Sequence, residues 1–136
     1  STPAVLDIVC LCAAWCGTCR EYQATFEALQ AAAPGHRYRW IDIEDEADFV
    51  GDVDVETFPT LLLACEGHVL FGGPVLPRLN DAQRLVAVHQ AQAQAVLDAP
   101  GEQQGRWPDG GALGLPQDQV EAFEALARAL NAEVNG

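Results

Sequence analysis

Two cysteines three residues apart, Cys16 and Cys19, are the residues of this chain best suited to chemistry. They follow an apolar run that ends at Trp15, and a segment with helical periodicity begins directly after them. A helix in that position would present its unpaired N–H groups and the positive end of its dipole to Cys16. Such an environment stabilises a thiolate, which is the form of cysteine that attacks a disulfide. The spacing therefore predicts a redox site at which Cys16 attacks and Cys19 resolves the mixed disulfide.

The chain contains five cysteines, and the other three are Cys10, Cys12 and Cys65. Cys10 and Cys12, taken with the first pair, raise the alternative of a zinc or iron–sulfur site. Cysteines two apart on a strand share a face, however, and the sequence has no second Cys-x-x-Cys pair to complete such a site. We therefore expect no metal and no cofactor. Cys10 and Cys12 are predicted to be small buried hydrophobic residues, and Cys65 an inert thiol.

Hydropathy patterns predict the elements that would position this pair. Residues 5–12 form a nearly continuous apolar run, which is typical of a central strand covered on both faces. A helix is predicted over residues 16–33, ended by Pro34-Gly35. The remaining predictions are strands at 38–43, 60–65 and 68–71, a helix that begins with Asn80 as its N-cap and runs to about residue 97, and a last amphipathic helix at 117–134.

The predicted elements suggest one domain with an addition. Residues 1–98 would form the domain itself. Residues 99–116 contain five glycines and three prolines and are interpreted as a linker. Residues 117–136 carry an apolar helical stripe that needs a covering surface, so we expect this helix to pack on the same domain.

Composition argues against several classes of partner. The chain of 136 residues has a net charge of −13, no lysine and seven scattered arginines, so we expect no binding to nucleic acid. No apolar run approaches the roughly 20 residues of a membrane helix, and we expect no membrane partner. No signal peptide is recognisable, so we expect a cytoplasmic monomer, or a periplasmic one if a leader was removed.

An acidic stretch adds one further candidate site. Residues 44–56 together with Asp42 hold eight carboxylates and no base. They would form either a metal site or docking surface for a basic partner, or a short solvated helix and loop around Phe49 and Val50. We expect the second arrangement, because a run of like charges is usually a solvated surface.

Two segments resemble the thioredoxin family. Residues 14–20, A-W-C-G-T-C-R, resemble its W-C-G-P-C-K active site, with Thr18 in place of proline. Residues 58–63, F-P-T-L-L-L, resemble its I-P-T-L-L-L segment, in which the proline is cis. The order of predicted elements agrees as well, and the resemblance covers about residues 5–97. It implies a thioredoxin-like α/β fold with a four-stranded mixed sheet flanked by helices, to which a C-terminal amphipathic helix is added.

The resemblance also implies roles for individual residues. Cys16 and Cys19 would form the redox-active disulfide, and Pro59 would pack against them. The Phe58 backbone would be free to pair with an extended substrate peptide. The residues implied in substrate binding are Trp15, Gly17, Thr18, Phe58 and Pro59.

The chain departs from the family at several positions. Cys10 stands where the family has a buried acid that aids proton transfer, and the lysine partner of that acid falls at Trp40. Ala24 replaces a helix-kinking proline. The family's first strand and helix have no counterpart ahead of the predicted central strand, and we expect the C-terminal helix to cover the sheet face in their place.

These observations predict a thiol–disulfide oxidoreductase that reduces or exchanges protein disulfides through a mixed-disulfide intermediate. Its partners would be disulfide-containing proteins, with a thioredoxin reductase or another dithiol as electron donor. The alternative is a binding or scaffold module, or a redox sensor, that uses the same groove without turnover. The loss of the buried acid at Cys10 and of the family's first strand and helix favours this alternative.

Overall fold

The apolar run near the start of the chain forms the central strand of a sheet. In the computed structural model, which describes residues 2–108 and 115–135, every residue of this strand is buried. The strands are β1 (Asp7–Cys12), β2 (Arg37–Asp42), β3 (Thr60–Cys65) and β4 (His68–Pro74), and the helices are α1 (Gly17–Ala32), α2 (Ala47–Val50), α3 (Leu79–Asp98) and α4 (Gln117–Asn135), with a 3₁₀ turn at Gly101–Gln103.

The four strands form one mixed sheet in the order β2-β1-β3-β4. Strand β1 runs parallel to β2 and antiparallel to β3, and β3 and β4 form an antiparallel hairpin. The helix α1 makes the crossover that a parallel β1–β2 pair requires. The predicted thioredoxin-like fold with a four-stranded mixed sheet is therefore confirmed.

Alternating residues of β1 and β3 face two separate hydrophobic clusters. On one face Cys10, Cys12 and Leu63 pack with residues of α1 and α3. On the other face Val9 and Leu62 pack with residues of α2 and α4. A strand covered on both faces reads as a continuous apolar run, which explains why no polar alternation marks β1.

The C-terminal helix α4 is present and extends one residue past the predicted end. Its buried residues are Val120, Ala122, Phe123, Leu126, Ala127 and Leu130. All of these except Val120 belong to the hydrophobic cluster on this face of the sheet. Phe123 lies over Gly72 of β4, where a Cβ atom would come within 3.0 Å of the ring. This helix therefore covers one face of the sheet, and its equivalence to the family's first strand and helix stays a proposal.

Two of the differences from the predicted boundaries have a clear physical reason. Strand β4 does not end at Phe71 but continues through Gly72 and Gly73, which pair with β3. A glycine is needed at position 72 because Phe123 occupies the space above it. Helix α3 begins one residue before Asn80, and its N-cap residue is Arg78, which makes no side-chain cap hydrogen bond. The Arg78 guanidinium instead forms an ion pair with Asp81 in the first turn.

The predicted linker is only partly within the described residues. Its first part contains the 3₁₀ turn and then Trp107, whose ring stacks on His68 with centroids 5.1 Å apart. Residues 109–114, the central part of the predicted linker, lie outside the described residues. In the described part of the chain, no helix combines the length and the apolar character needed to cross a membrane.

Candidate functional site

Cys16 lies at the N-terminus of α1. It is the N-cap residue, with extended φ and ψ angles of −86° and 121°. Its N–H donates to the carbonyl of Ala13 at 3.1 Å, and its own carbonyl accepts from the N–H of Arg20 at 3.2 Å. The Cys16 side chain is partly exposed and contacts the hydrophobic cluster beneath the sheet. A partly exposed thiol at the start of a 16-residue helix is a suitable nucleophile for an incoming disulfide.

An aromatic pair forms the surface next to Cys16. Trp15 is 66% exposed, and its ring meets Phe58 edge to face with centroids 5.4 Å apart. The indole N–H of Trp15 donates to the carboxylate of Glu44. Gly17 and Thr18 are exposed in the first turn of α1. The fold thus brings two residues 43 positions apart in the sequence, Trp15 and Phe58, to one surface.

Pro59 follows Phe58 through a cis peptide bond. The proline is fully buried, and its carbonyl accepts the N–H of Val75 at 3.1 Å. The Pro59 ring therefore offers no surface to a substrate in this structure. Of the two residues, only the half-buried Phe58 is available for contact with a substrate.

Asp42 fixes the loop that leads into the site, a role that the sequence did not indicate. One carboxylate oxygen accepts the N–H of Ala14 at 2.9 Å, and the other accepts the N–H groups of Glu44 at 2.8 Å and Asp45 at 3.2 Å. The donors of Glu44 and Asp45 lower the pKa of Asp42 most, and Ala14 adds to the effect against the opposing effect of burial. The signal that could have revealed this role is an Asp at a strand end followed by a turn, which is typical of an Asx turn.

The cysteine pairing differs from the prediction. Cys19 forms a disulfide with Cys12, across a Cα–Cα distance of 5.8 Å, and Cys16 is a free thiol. The expectation that Cys12 is only a small hydrophobic residue was wrong. Cys12 ends β1 and Cys19 lies in the first turn of α1, so the strand–turn–helix connection brings their Cα atoms within the range that a disulfide bridges. The roles of Cys16 as attacking thiol and Cys19 as resolving thiol stay predictions.

Cys10 is fully buried on the same face of β1 as Cys12. The two sulfur atoms are 3.7 Å apart, which is a weak hydrogen-bonding contact. Burial raises the pKa of Cys10 to about 12. A thiol with that pKa holds its proton at neutral pH, so Cys10 does not reproduce the family's buried carboxylic acid. Its partner in the β1–β2 register is Trp40, which packs edge to face against Phe26.

The buried side chain of Tyr22 lies close to Cys10. The Tyr22 hydroxyl has no hydrogen-bond partner among the described residues. Burial, followed by the nearby Cys10 and Asp81, raises the pKa of Tyr22 to about 12. Sequence periodicity placed Tyr22 on the apolar stripe of α1 and gave no signal that its hydroxyl would be enclosed beside a cysteine.

The acidic stretch forms a short helix, α2, and its flanking turns. Val50 is buried there, and the guanidinium of Arg39 lies 4.5 Å from the centre of the Phe49 ring. Among the described residues no group of three or more His, Cys, Asp or Glu side chains could hold a metal ion. Cys65 is buried at the end of β3. Burial, followed by the charges of Glu66 and Asp7, raises its pKa to about 11 despite the opposing effect of Arg37.

Solved structures with the same fold include three thioredoxins. The thioredoxin of Fasciola hepatica is 21% identical, with a TM-score of 0.57 over 64% of this chain and 83% of that one. Mitochondrial thioredoxin 3 of Saccharomyces cerevisiae, in its oxidised form, is 21% identical, with a TM-score of 0.55 over 62% and 79%. The germline-specific thioredoxin Deadhead of Drosophila melanogaster is 19% identical, with a TM-score of 0.55 over 62% and 81%.

At these identities the solved structures establish the fold alone. A comparison with curated proteins found no match. The family model described as Thioredoxin matches residues 3–74, which is more than half of the chain and includes both the Cys16–Cys19 segment and the Phe58–Pro59 segment. The chain belongs to the thioredoxin family.

Proposed function

We propose that this protein is a thiol–disulfide oxidoreductase that reduces or exchanges disulfides of other proteins. The position of Cys16 carries the proposal. Its thiol is partly exposed at the N-terminus of α1, beside the Trp15–Phe58 surface and one helical turn before Cys19. Membership of the thioredoxin family supports an oxidoreductase role in general, and this geometry supports attack on a disulfide that is presented from solvent.

The proposed reaction begins with the site fully reduced. The Cys16 thiolate attacks one sulfur of the client disulfide, forms a mixed disulfide and releases the other client sulfur as a thiolate. The Cys19 thiolate then attacks the Cys16 sulfur, which yields a Cys16–Cys19 disulfide and the second client thiol. Two electrons pass from the protein to the client, and an external dithiol returns them in the next cycle.

The surface around Cys16 favours an extended client segment. Trp15 and Phe58 provide apolar area on one side of the thiol, and the exposed Gly17 and Thr18 leave the other side open. Glu44 holds the Trp15 ring through the indole N–H, so the aromatic surface is fixed before a client arrives. A fixed surface lowers the entropic cost of binding a flexible peptide.

Insulin reduction tests the proposal. We expect the protein to accelerate the precipitation of insulin B chain with dithiothreitol as electron donor, and Cys16→Ser to abolish the acceleration. Cys65→Ala is the matched control, because this buried thiol lies outside the site, and it should retain full activity. No acceleration by the native chain, or acceleration that survives Cys16→Ser, would rule the proposal out.

One observation favours a second candidate function, the capture of clients without turnover. With Cys19 bonded to Cys12, Cys16 has no resolving thiol beside it. In that state Cys16 would hold a client as a lasting mixed disulfide, as a scaffold or redox sensor requires. A client peptide with one disulfide discriminates the two: turnover releases its dithiol form, whereas capture leaves a covalent adduct that only added reductant releases.

A further inference from the structure

Cys19 has two possible sulfur partners, both of which precede it in the sequence. Cys16 precedes it by one helical turn, and Cys12 lies across the turn at the end of β1, with its Cα atom 5.8 Å away. The structure holds the bond to Cys12 and leaves Cys16 as a free thiol. The same resolving sulfur can thus be joined either to the exposed site or to the interior of the fold.

We infer that Cys12 is a second resolving cysteine, which takes Cys19 over from Cys16 after a client has been reduced. The inference rests on the proposed function and deepens it. The oxidised protein would carry its disulfide between Cys12 and Cys19, inside the fold, and would present Cys16 again as a thiol at the surface.

The step is an internal thiol–disulfide exchange. The Cys12 sulfur attacks the Cys19 sulfur of the Cys16–Cys19 disulfide, the Cys12–Cys19 bond forms and the Cys16–Cys19 bond breaks. Cys16 leaves as a thiolate and receives the proton that Cys12 has lost. The number of disulfides and thiols is unchanged, so no oxidant or reductant is needed.

Burial and charge both favour the product of this exchange. Cys12 is 0% exposed and Cys19 is 1% exposed, so the new disulfide lies wholly among apolar side chains of the cluster between the sheet and α1. The departing Cys16 sulfur lies at the helix N-terminus, where developing negative charge is stabilised. The Cys10 thiol, 3.7 Å from the Cys12 sulfur, can donate to that sulfur while it carries negative charge.

The buried disulfide would also be inaccessible to a donor. A reducing dithiol cannot reach Cys12 or Cys19 directly, so reduction requires Cys16 to attack Cys19 and restore the exposed bond first. The reverse exchange therefore makes the disulfide accessible to the electron donor. In this scheme Cys12 gives the oxidised protein a second form, in which the disulfide is buried.

Disulfide mapping of the native chain tests the inference. The reduced protein is oxidised with one equivalent of diamide, quenched with acid, alkylated in denaturant and digested with chymotrypsin, which cleaves after Trp15 and so separates Cys12 from the other pair. We expect a peptide that ends at Trp15 to be joined through Cys12 to Cys19, with Cys16 alkylated. Any other major pairing, including a bond within the Cys16–Cys19 peptide, would overturn the inference.

A redox titration gives a second measurement. If the Cys12–Cys19 bond is favoured at least tenfold over Cys16–Cys19, Cys12→Ala should raise the midpoint potential by at least about 30 mV, because the oxidised form loses its more stable isomer. Cys65→Ala is the matched control, since it removes a buried free thiol that takes no part in the exchange and leaves both pairings possible. Equal potentials for the native chain and Cys12→Ala would contradict the inference.

The outcomes separate this inference from the proposed function. A Cys12–Cys19 bond in a protein that does not reduce insulin would support the internal disulfide exchange and remove the enzyme proposal. Insulin reduction that depends on Cys16, with the oxidised bond found at Cys16–Cys19, would support the enzyme proposal and overturn the inference about Cys12.

Discussion

Burial distinguishes the three free thiols more clearly than their positions in the sequence do. Cys16 is partly exposed, whereas Cys10 and Cys65 are buried, with pKa values raised to about 12 and about 11. Both alkylation and disulfide exchange require an accessible thiolate. At pH 8 a thiol with a pKa of about 11 is ionised in roughly one molecule in a thousand, so accessibility and ionisation act in the same direction.

Native thiol labelling should therefore select Cys16. We expect iodoacetamide at pH 8 to modify one cysteine of the folded, disulfide-containing protein, and Cys16→Ser to remove that reaction. Labelling in denaturant should instead modify Cys10, Cys16 and Cys65. Raising the pH toward 11 should increase the reaction at Cys65, because its thiolate fraction grows. Rapid labelling of Cys65 at pH 8 would contradict the burial of this thiol.

Asp42 shows how one carboxylate positions the turn that leads to Cys16. Its three backbone hydrogen bonds connect the end of β2 to Ala14, two residues before Cys16. Asp42→Ala should cost about 1 kcal/mol of unfolding free energy at pH 7, the usual cost of losing such a side-chain cap. Asp45→Ala, an exposed acid in the same turn, is the control. Urea unfolding of both variants measures the difference.

The pH dependence of this effect has a definite sign. The native pKa of Asp42 is lowered, so its stabilising contribution is complete above the unfolded value of about 3.9 and disappears as the pH falls through the lower native value. The gap between Asp42→Ala and the native chain should narrow below pH 4. A gap that stays constant down to pH 2 would show that the hydrogen bonds to the charged form contribute little.

At the scale of elements, the contact between β4 and α4 determines how the C-terminal helix seats on the sheet. Phe123 is 3% exposed and lies directly over Gly72. A glycine in a strand interior often marks a close approach of another element. The apolar stripe of α4 predicted that the helix needs a covering surface, but the position of Gly72 determines which part of the sheet receives it.

A double-mutant cycle tests this contact. Phe123→Ala should destabilise the protein by about 3 kcal/mol, because it leaves a cavity under α4. Gly72→Ala should cost about 1–3 kcal/mol, since its Cβ atom would lie 3.0 Å from the Phe123 ring. We expect the second substitution to cost much less when Phe123 is already alanine, with a coupling of at least about 1 kcal/mol.

Gly73→Ala is the matched control for this cycle. Its Cβ atom would meet the Phe71 ring at 3.7 Å, an ordinary van der Waals contact, so its effect on stability should be small. Equal costs for the two glycine substitutions, or additive costs of Gly72→Ala and Phe123→Ala, would show that α4 is not seated by this contact.

At the scale of the whole molecule, the hydrophobic patterns were sufficient to predict most of the elements of the fold. Period and length located β1, α1 and β3 because a strand covered on both faces and an amphipathic helix have distinct apolar patterns. The residues of the site at Cys16, Trp15 and Phe58 were indicated by two short segments that the fold brings together. The apolar patterns and the two short segments can each be recognised from local sequence alone.

The features that sequence did not predict depend on three-dimensional contacts. Whether Cys19 pairs with Cys16 or Cys12 depends on the distance between the end of β1 and the first turn of α1, which spacing does not report. The enclosure of the Tyr22 hydroxyl depends on how α1 packs beside Cys10. The start of α3 was misplaced because Asn80 satisfies a capping pattern, while the Arg78–Asp81 ion pair occupies the first turn.

The disulfide also connects the site to the stability of the whole chain. Cys12 and Cys19 are separated by 7 positions, and closing a loop of that length in the unfolded chain contributes about 2.5 kcal/mol in the chain-entropy model. For a chain of 136 residues this corresponds to a difference of roughly 8 °C in Tm between the oxidised and reduced protein. Cys16→Ala should keep this difference, because Cys16 is not part of the bond, whereas the double variant Cys12→Ala/Cys16→Ala should lose it. Calorimetry with and without reductant measures all three proteins, and loss of the difference in Cys16→Ala would place the stabilising bond at Cys16–Cys19 instead.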